Sequence, residues 1–193
     1  MAVIATVAAA ASAQGASGGF GGGTGDCEDA RFGKRVLSLG DCGGDVKTLN
    51  WILNSKKYAR KSPLGRAFKG RTERSVVKFQ RREGIRGSGV VSRRTSRRLV
   101  RSMRRQTATW YGPGFYGHRT ACGTRLTRRT VGVAHRRLPC GTRVTLKYRG
   151  RFLRTRVIDR GPYAHGASWD LTARAAKKLR LVITDRVRAA AVR

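Results

Sequence analysis

The sequence predicts an α+β chain in two domains, a small three-helix bundle over residues 36–103 followed by a small β-barrel over residues 107–193. Apolar residues recur at helical spacing through the first stretch. From Thr107 the runs become short, β-branched and bounded by Gly, Pro or Arg-rich turns, which is strand patterning. At 193 residues the chain is long enough for one large core or two small ones, and its character changes between Met103 and Thr107.

Residues 1–14, MAVIATVAAAASAQ, form a short apolar run ending in a small-x-small pattern and are expected to be a signal segment. The run is too short to span a bilayer, and no later segment reads as a membrane helix. GASGGFGGGTG, Gly15 to Gly25, sets a flexible linker expected over residues 15–35. In DVKTLNWILN, Val46, Leu49 and Leu53 share a face with Ile52 beside them, and Asp45 is the expected N-cap. TERSVVKFQRREG opens on Thr72 as an expected N-cap, buries Val76 and Phe79, and stops at Gly84. SRRTSRRLVRSM starts at Ser92 and turns Leu99 and Met103 inward.

In the second half, TATWYG, TVGVAH, TRVTLKYRG and RFLRTRVID read as strands, with a hairpin turn at Arg149-Gly150. TARAAKKLRL reads as one short helix beginning near Thr172. Several short strands with one helix point to a small barrel.

Lys and Arg number 43 against 10 Asp and Glu, a formal charge of +33. Such a chain seeks polyanions: nucleic acid, anionic lipid or anionic cell-wall polymers. The absence of a nucleic-acid motif, the export-like start and the paired cysteines argue against a specific nucleic-acid partner. The four cysteines fall as one local pair in each half, without CxxC, so two disulfides, Cys27–Cys42 and Cys122–Cys140, are expected rather than a zinc site.

From Gly84 onward the only acids are Asp159, Asp170 and Asp185, amid dense arginine. Two of them fall within VIDRGPYAHGASWDL. Asp170 sits between Trp169 and Leu171, apolar neighbours that raise a carboxyl pKa if they desolvate it. Asp159 precedes Arg160 and a Gly161-Pro162 turn at a strand end, where an ionised carboxylate is expected. Two carboxyls in unlike surroundings can divide the work of glycosidic cleavage; both can equally well pair with arginine. His135 follows an apolar run and can bond a cleft carboxylate or a sugar hydroxyl, or serve the fold alone. Trp110, Tyr111, Phe115 and Tyr116 lie among glycines, suited both to stacking on sugar faces and to core packing.

ATWYGPGFYGHRTACG, GVAHRRLPCGTRV, VIDRGPY and WDLTARAAKKL occur in the order and spacing of the rare lipoprotein A family, which this chain resembles over roughly Thr107 to Leu181. The resemblance implies a six-stranded double-psi β-barrel, the fold shared with expansins, and action on or binding to peptidoglycan glycan strands. It implies Asp170 as proton donor, Asp159 as its partner acid and His135 as a third site residue, with the two acids' roles exchangeable. It adds Thr120, Arg160 and Tyr163 to Trp110, Tyr111 and Tyr116 as substrate-binding residues. Thr124 stands where family members often carry Glu. The helical half, through GGDVKTLNWIL and the stretch Gly65 to Leu99, resembles a three-helix peptidoglycan-binding module, which implies Gln80 and the loops around residues 65–72 near a ligand groove.

The implied activity is that of a lytic transglycosylase, with no metal and no cofactor, in a secreted, wall-associated protein. The alternatives are a non-catalytic, expansin-like wall binder and, on charge alone, a polyanion binder.

Overall fold

The computed structural model describes residues 27, 29–55, 64–163 and 166–192. The expected signal segment and the Gly-rich run of residues 15–25 lie outside the described residues. Residues 29–35, expected to belong to the linker, are tied to the helices instead. Arg35 Nε donates to Asp45 Oδ2 at 2.7 Å, Arg66 pairs with Asp29 at 2.7 Å, and Cys27 is bonded to Cys42.

Three helices follow: α1 (Gly44–Asn54), α2 (Gly70–Arg82) and α3 (Arg93–Arg101). Their apolar stripes meet in one cluster, with Leu37, Val46, Leu49, Ile52, Leu53, Phe68, Val76, Phe79, Leu99 and Met103 buried. Ser92 caps α3 as expected, accepting from Thr95 N, and Gly84 takes the left-handed conformation just past α2. The other two expected caps are corrected. Asp45 lies inside the first turn of α1, where Arg35 claims its carboxylate. Thr72 lies inside α2 and donates its hydroxyl to Asn50 Oδ1 at 2.9 Å. In both cases a tertiary partner engages the polar side chain.

Six strands and a fourth helix complete the chain: β1 (Arg104–Tyr111), β2 (Val133–Ala134), β3 (Arg143–Tyr148), β4 (Arg151–Asp159), β5 (Trp169–Thr172), α4 (Ala173–Leu179) and β6 (Asp185–Ala191). They close into a barrel in the order β1-β5-β2-β4-β3-β6. β1 runs parallel to β5 and β2 parallel to β4; the remaining pairs are antiparallel. β1 begins three residues before the expected Thr107, and β5 and β6 did not read as strands on their own. TVGVAH gives only the two-residue β2. The hairpin at Arg149-Gly150 is as expected, both residues having positive φ as a tight two-residue turn requires. Thr172 caps α4.

Ala108, Val133, Val144, Leu146, Val157, Trp169, Leu171 and Val187 fill the barrel. Strand alternation lets β6 serve both cores: Val187 and Ala189 face the barrel, while Ala190 joins the helical cluster, against which Phe152 also packs. The end of α1 is bound to the barrel wall, where Arg154 donates to Asn54 Oδ1 at 2.7 Å and Thr145 to Trp51 O at 3.3 Å. The three N-terminal helices therefore pack on the β3–β4–β6 side, while α4 packs against β1, β4 and β5. No helix among the described residues is long and apolar enough to cross a membrane.

Candidate active site

The β1–β5–β2–β4 side carries the two acids. Thr109 on β1 lies opposite Asp170 on β5, Asp170 opposite Ala134 on β2, and Ala134 opposite Asp159 on β4. Four neighbouring strands thus set Thr109, Asp170, Ala134 and Asp159 in one row. Trp169 and Leu171 turn into the barrel core, so Asp170 between them turns outward. Adjacent strands are about 4.8 Å apart, which puts the two aspartate backbones roughly 10 Å apart with only a methyl side chain between them. β4 runs parallel to β2 and β5 antiparallel to it, so the chain reverses direction between Asp159 and Asp170, and β2 lies between the two acids.

The two carboxyls have unlike surroundings. Asp170 is held above the usual carboxylate range by burial, and the nearby charge of Asp159 adds to this. Thr109 Oγ1, donating to Asp170 Oδ1 at 2.7 Å, works in the opposite direction. Asp159 accepts three hydrogen bonds, from Ala121 N (2.9 Å) and Arg160 N (2.8 Å) to Oδ1 and from Tyr111 Oη (3.1 Å) to Oδ2. Burial and the Asp159 charge push the Tyr111 phenol well above its ordinary pKa, so it remains a donor.

The loop after β1 supplies one of those donors. Gly112 is required at its base: a Cβ there would lie 2.8 Å from both Ala173 Cβ and Tyr116 Oη. Thr120 is buried, donates to Ile158 O and accepts from Thr124 N at 3.1 Å, so its hydroxyl shapes the loop and is not offered to a ligand. The Cys122–Cys140 disulfide ties the loop to the turn after β2. In that turn His135 Nδ1 accepts from the backbone N–H groups of Arg137 (3.1 Å) and Leu138 (3.0 Å). The proton of a neutral imidazole then sits on Nε2. The ring lies 4.5 Å from that of Trp169, and His135 N donates to Asp159 O at 3.2 Å.

The other expected residues divide. Tyr111 is in the site. Arg160 contributes its backbone N–H, while its guanidinium donates to Leu138 O at 3.1 Å and holds the turn. Tyr163 projects from the rim, 77% exposed. Trp110 emerges on the opposite face of β1 from Thr109 and Tyr111, its indole N–H donating to Val182 O at 3.2 Å, away from the acids. Tyr116 lines an adjoining cleft of about 540 Å³ with Pro113, Arg128, Ala173, Arg174 and Lys177. Gln80 is corrected: it is 1% exposed, and its amide is consumed by Val90 O (2.8 Å), Ser88 and Thr95 hydroxyls and Gly89 N (3.0 Å). It pins the loop before α3 and reaches no groove.

Sequence reasoning missed Thr109, the Ala121 N–H and the spacer Ala134. Thr109 was within reach, because period-two alternation sets it on the face of Tyr111. Among the described residues no three His, Cys, Asp or Glu side chains gather as a metal site.

Residues 104–192 match the family described as "Lytic transglycolase". A probable endolytic peptidoglycan transglycosylase RlpA from Synechocystis sp. is 47% identical over 74 residues, covering 37% of this chain and 23% of that protein. The Aquifex aeolicus protein of the same description is 44% identical over 77 residues, covering 39% of this chain and 34% of its own. The match thus spans about a third or less of these relatives' length. Among solved structures, the Streptomyces papain inhibitor is similar over 47% of this chain and 96% of its own, at 26% identity and a TM-score of 0.37.

Proposed function

We propose that residues 104–192 form a rare lipoprotein A-like double-psi β-barrel and that the chain uses it as a peptidoglycan lytic transglycosylase outside the cytoplasm. The observation that carries this reading is the pair of aspartates in one row with opposite surroundings, one desolvated and one fully supplied with donors. Asp170, the carboxyl that burial keeps protonated to higher pH, gives its proton to the glycosidic oxygen between N-acetylmuramic acid and N-acetylglucosamine. The C1–O bond breaks, with its electron pair going to that oxygen. The C6 hydroxyl of the same muramyl sugar attacks C1, and its proton passes to the Asp170 carboxylate. The acid is regenerated, no water is consumed, and a 1,6-anhydro end remains. An intramolecular nucleophile already held close removes the need for a second base.

Asp159, which accepts three hydrogen bonds, stabilises the positive charge that develops at C1. His135, whose backbone N–H donates to Asp159 O, is the third residue of the site. The helical half, by its resemblance to a peptidoglycan-binding module, would hold the strand, although Gln80 is not available to it, and anionic wall polymers are further partners for the charged surface. One observation favours a non-catalytic, expansin-like reading: Thr124, at the position of the family's Glu, has its backbone bonded to Thr120 and supplies no third carboxylate. Incubating purified sacculi with Asp170→Asn beside wild type separates the two readings. Wild type releasing anhydro ends that the variant does not release supports catalysis, and retention of sacculi by both without release supports binding alone.

A further inference from the structure

We propose that the cleft where α3 meets the β3–β6 edge binds a phosphate group, free or within a phosphodiester. This inference is independent of the glycan chemistry, since the cleft lies on the helix-covered side of the barrel, away from the aspartate row.

The cleft has a volume of about 350 Å³ and brings together Arg97 and Arg101 of α3, Lys147 of β3 and Arg188 of β6, with Phe32 and Val100 as its apolar lining. Arg97 and Arg101 are four residues apart, so both point from one helix face. Lys147 and Arg188 are directly opposite each other in the antiparallel β3–β6 ladder. Like charges at directly opposed positions repel. Here the described carboxylates are engaged or placed elsewhere. Asp29, Asp41 and Asp45 pair within the N-terminal half, Asp185 bonds Tyr148, Asp159 and Asp170 form the site, and Glu73 and Glu83 belong to α2 and its end.

The general excess of arginine does not account for this arrangement. Exposed cations repel weakly because water and salt screen them, whereas Lys147 is partly buried. Burial holds its ammonium below the usual lysine range, and Arg188 lowers it further. The Phe152 ring, 5.8 Å from Lys147 Nζ, offers only a weak partner. Arg188 is meanwhile fixed in place, donating to Arg101 O (3.2 Å) and Met103 O (3.0 Å). A preset guanidinium beside an under-solvated ammonium, with two more arginines at the rim, matches the charge and multiple acceptor oxygens of phosphate. Because α3 and the barrel both contribute, an occupant would also hold the two halves together.

The test is an NMR titration of the full chain with inorganic phosphate, chloride being adjusted to keep ionic strength constant, in parallel with melting curves. The proposal predicts saturable shifts of the Arg188 Nε–H and the Lys147 and Phe152 amides, with a rise in Tm. Lys147→Met combined with Arg97→Gln should weaken binding at least tenfold. Lys78→Met combined with Arg71→Gln, removing the same charge from exposed positions of α2, should leave it unchanged. Dimethyl phosphate moving the same resonances would identify the diester as the source, and silence with the diester would identify free phosphate. Shifts that grow linearly without saturating, or equal weakening in both double variants, would overturn the site in favour of general charge attraction.

Discussion

Tyr111→Phe removes one hydroxyl and nothing else from the row of strands that carries the acids. The Tyr111 phenol donates to Asp159 Oδ2 at 3.1 Å, while the other carboxylate oxygen takes two backbone N–H groups. A hydrogen bond to a charged acceptor contributes about 1.5–3 kcal/mol. Expressed fully in the transition state, at roughly 1.4 kcal/mol per tenfold, its loss slows turnover by about 10- to 150-fold. Tyr111 is partly exposed, and water replaces part of the missing bond, which places the expected loss near the lower end. The phenol is pushed far above its ordinary pKa, first by burial and then by the Asp159 charge, so it stays protonated throughout the working pH range. The fold-loss should accordingly be flat with pH. Timed mass spectrometry of anhydro ends released from sacculi measures it, with melting curves to show that the variant is folded. A folded Tyr111→Phe protein with wild-type turnover would refute the role given to Asp159's donors, and a loss confined to high pH would refute the protonation argument.

Asp170→Asn should raise stability at neutral pH. Burial and Asp159 hold the Asp170 pKa above its unfolded value, so the wild type loses stability as pH rises through the folded pKa. Below the ordinary carboxylate range both proteins are neutral at this position, and the gain should vanish there in pH-dependent melts. Gly132→Ala should cost about 1–3 kcal/mol by overpacking, because a Cβ would land 2.2 Å from Ile158 Cδ1 and 2.4 Å from its Cγ1. Adding Ile158→Ala should make the double variant less destabilised than the sum of the singles in urea melts. Replacing Cys122 and Cys140 by Ser opens a loop with a sequence separation of 18, a loss of about 3 kcal/mol on the chain-entropy account. Turnover should fall more than wall binding, since the freed loop carries the Ala121 donor.

Local pattern made the helices readable. Val46, Leu49, Ile52 and Leu53 share one stripe and are all buried. Caps were less readable, because Asp45 and Thr72 have polar side chains in capping positions by sequence, and only the fold reveals that Arg35 and Asn50 take them. The two aspartates stood out as rare acids in a basic half, but their meeting depends on β2, a two-residue strand paired parallel to β4 and antiparallel to β5. No local signal marks so short an insertion. Gln80 shows the opposite failure: the resemblance to a peptidoglycan-binding module implies a place near a groove, and only the fold reveals the loop that uses its amide. Trp110 was grouped with Tyr111 for its aromatic character, although adjacent residues of one strand face opposite ways.

The most direct test of the account is to digest purified sacculi with the wild-type chain in heavy-oxygen water and identify the new glycan ends by mass spectrometry. An internal C6 hydroxyl acting under Asp170 predicts 1,6-anhydro ends, one water lighter than hydrolytic ends and free of heavy oxygen. Reducing ends carrying heavy oxygen would show that water is the nucleophile and contradict the mechanism.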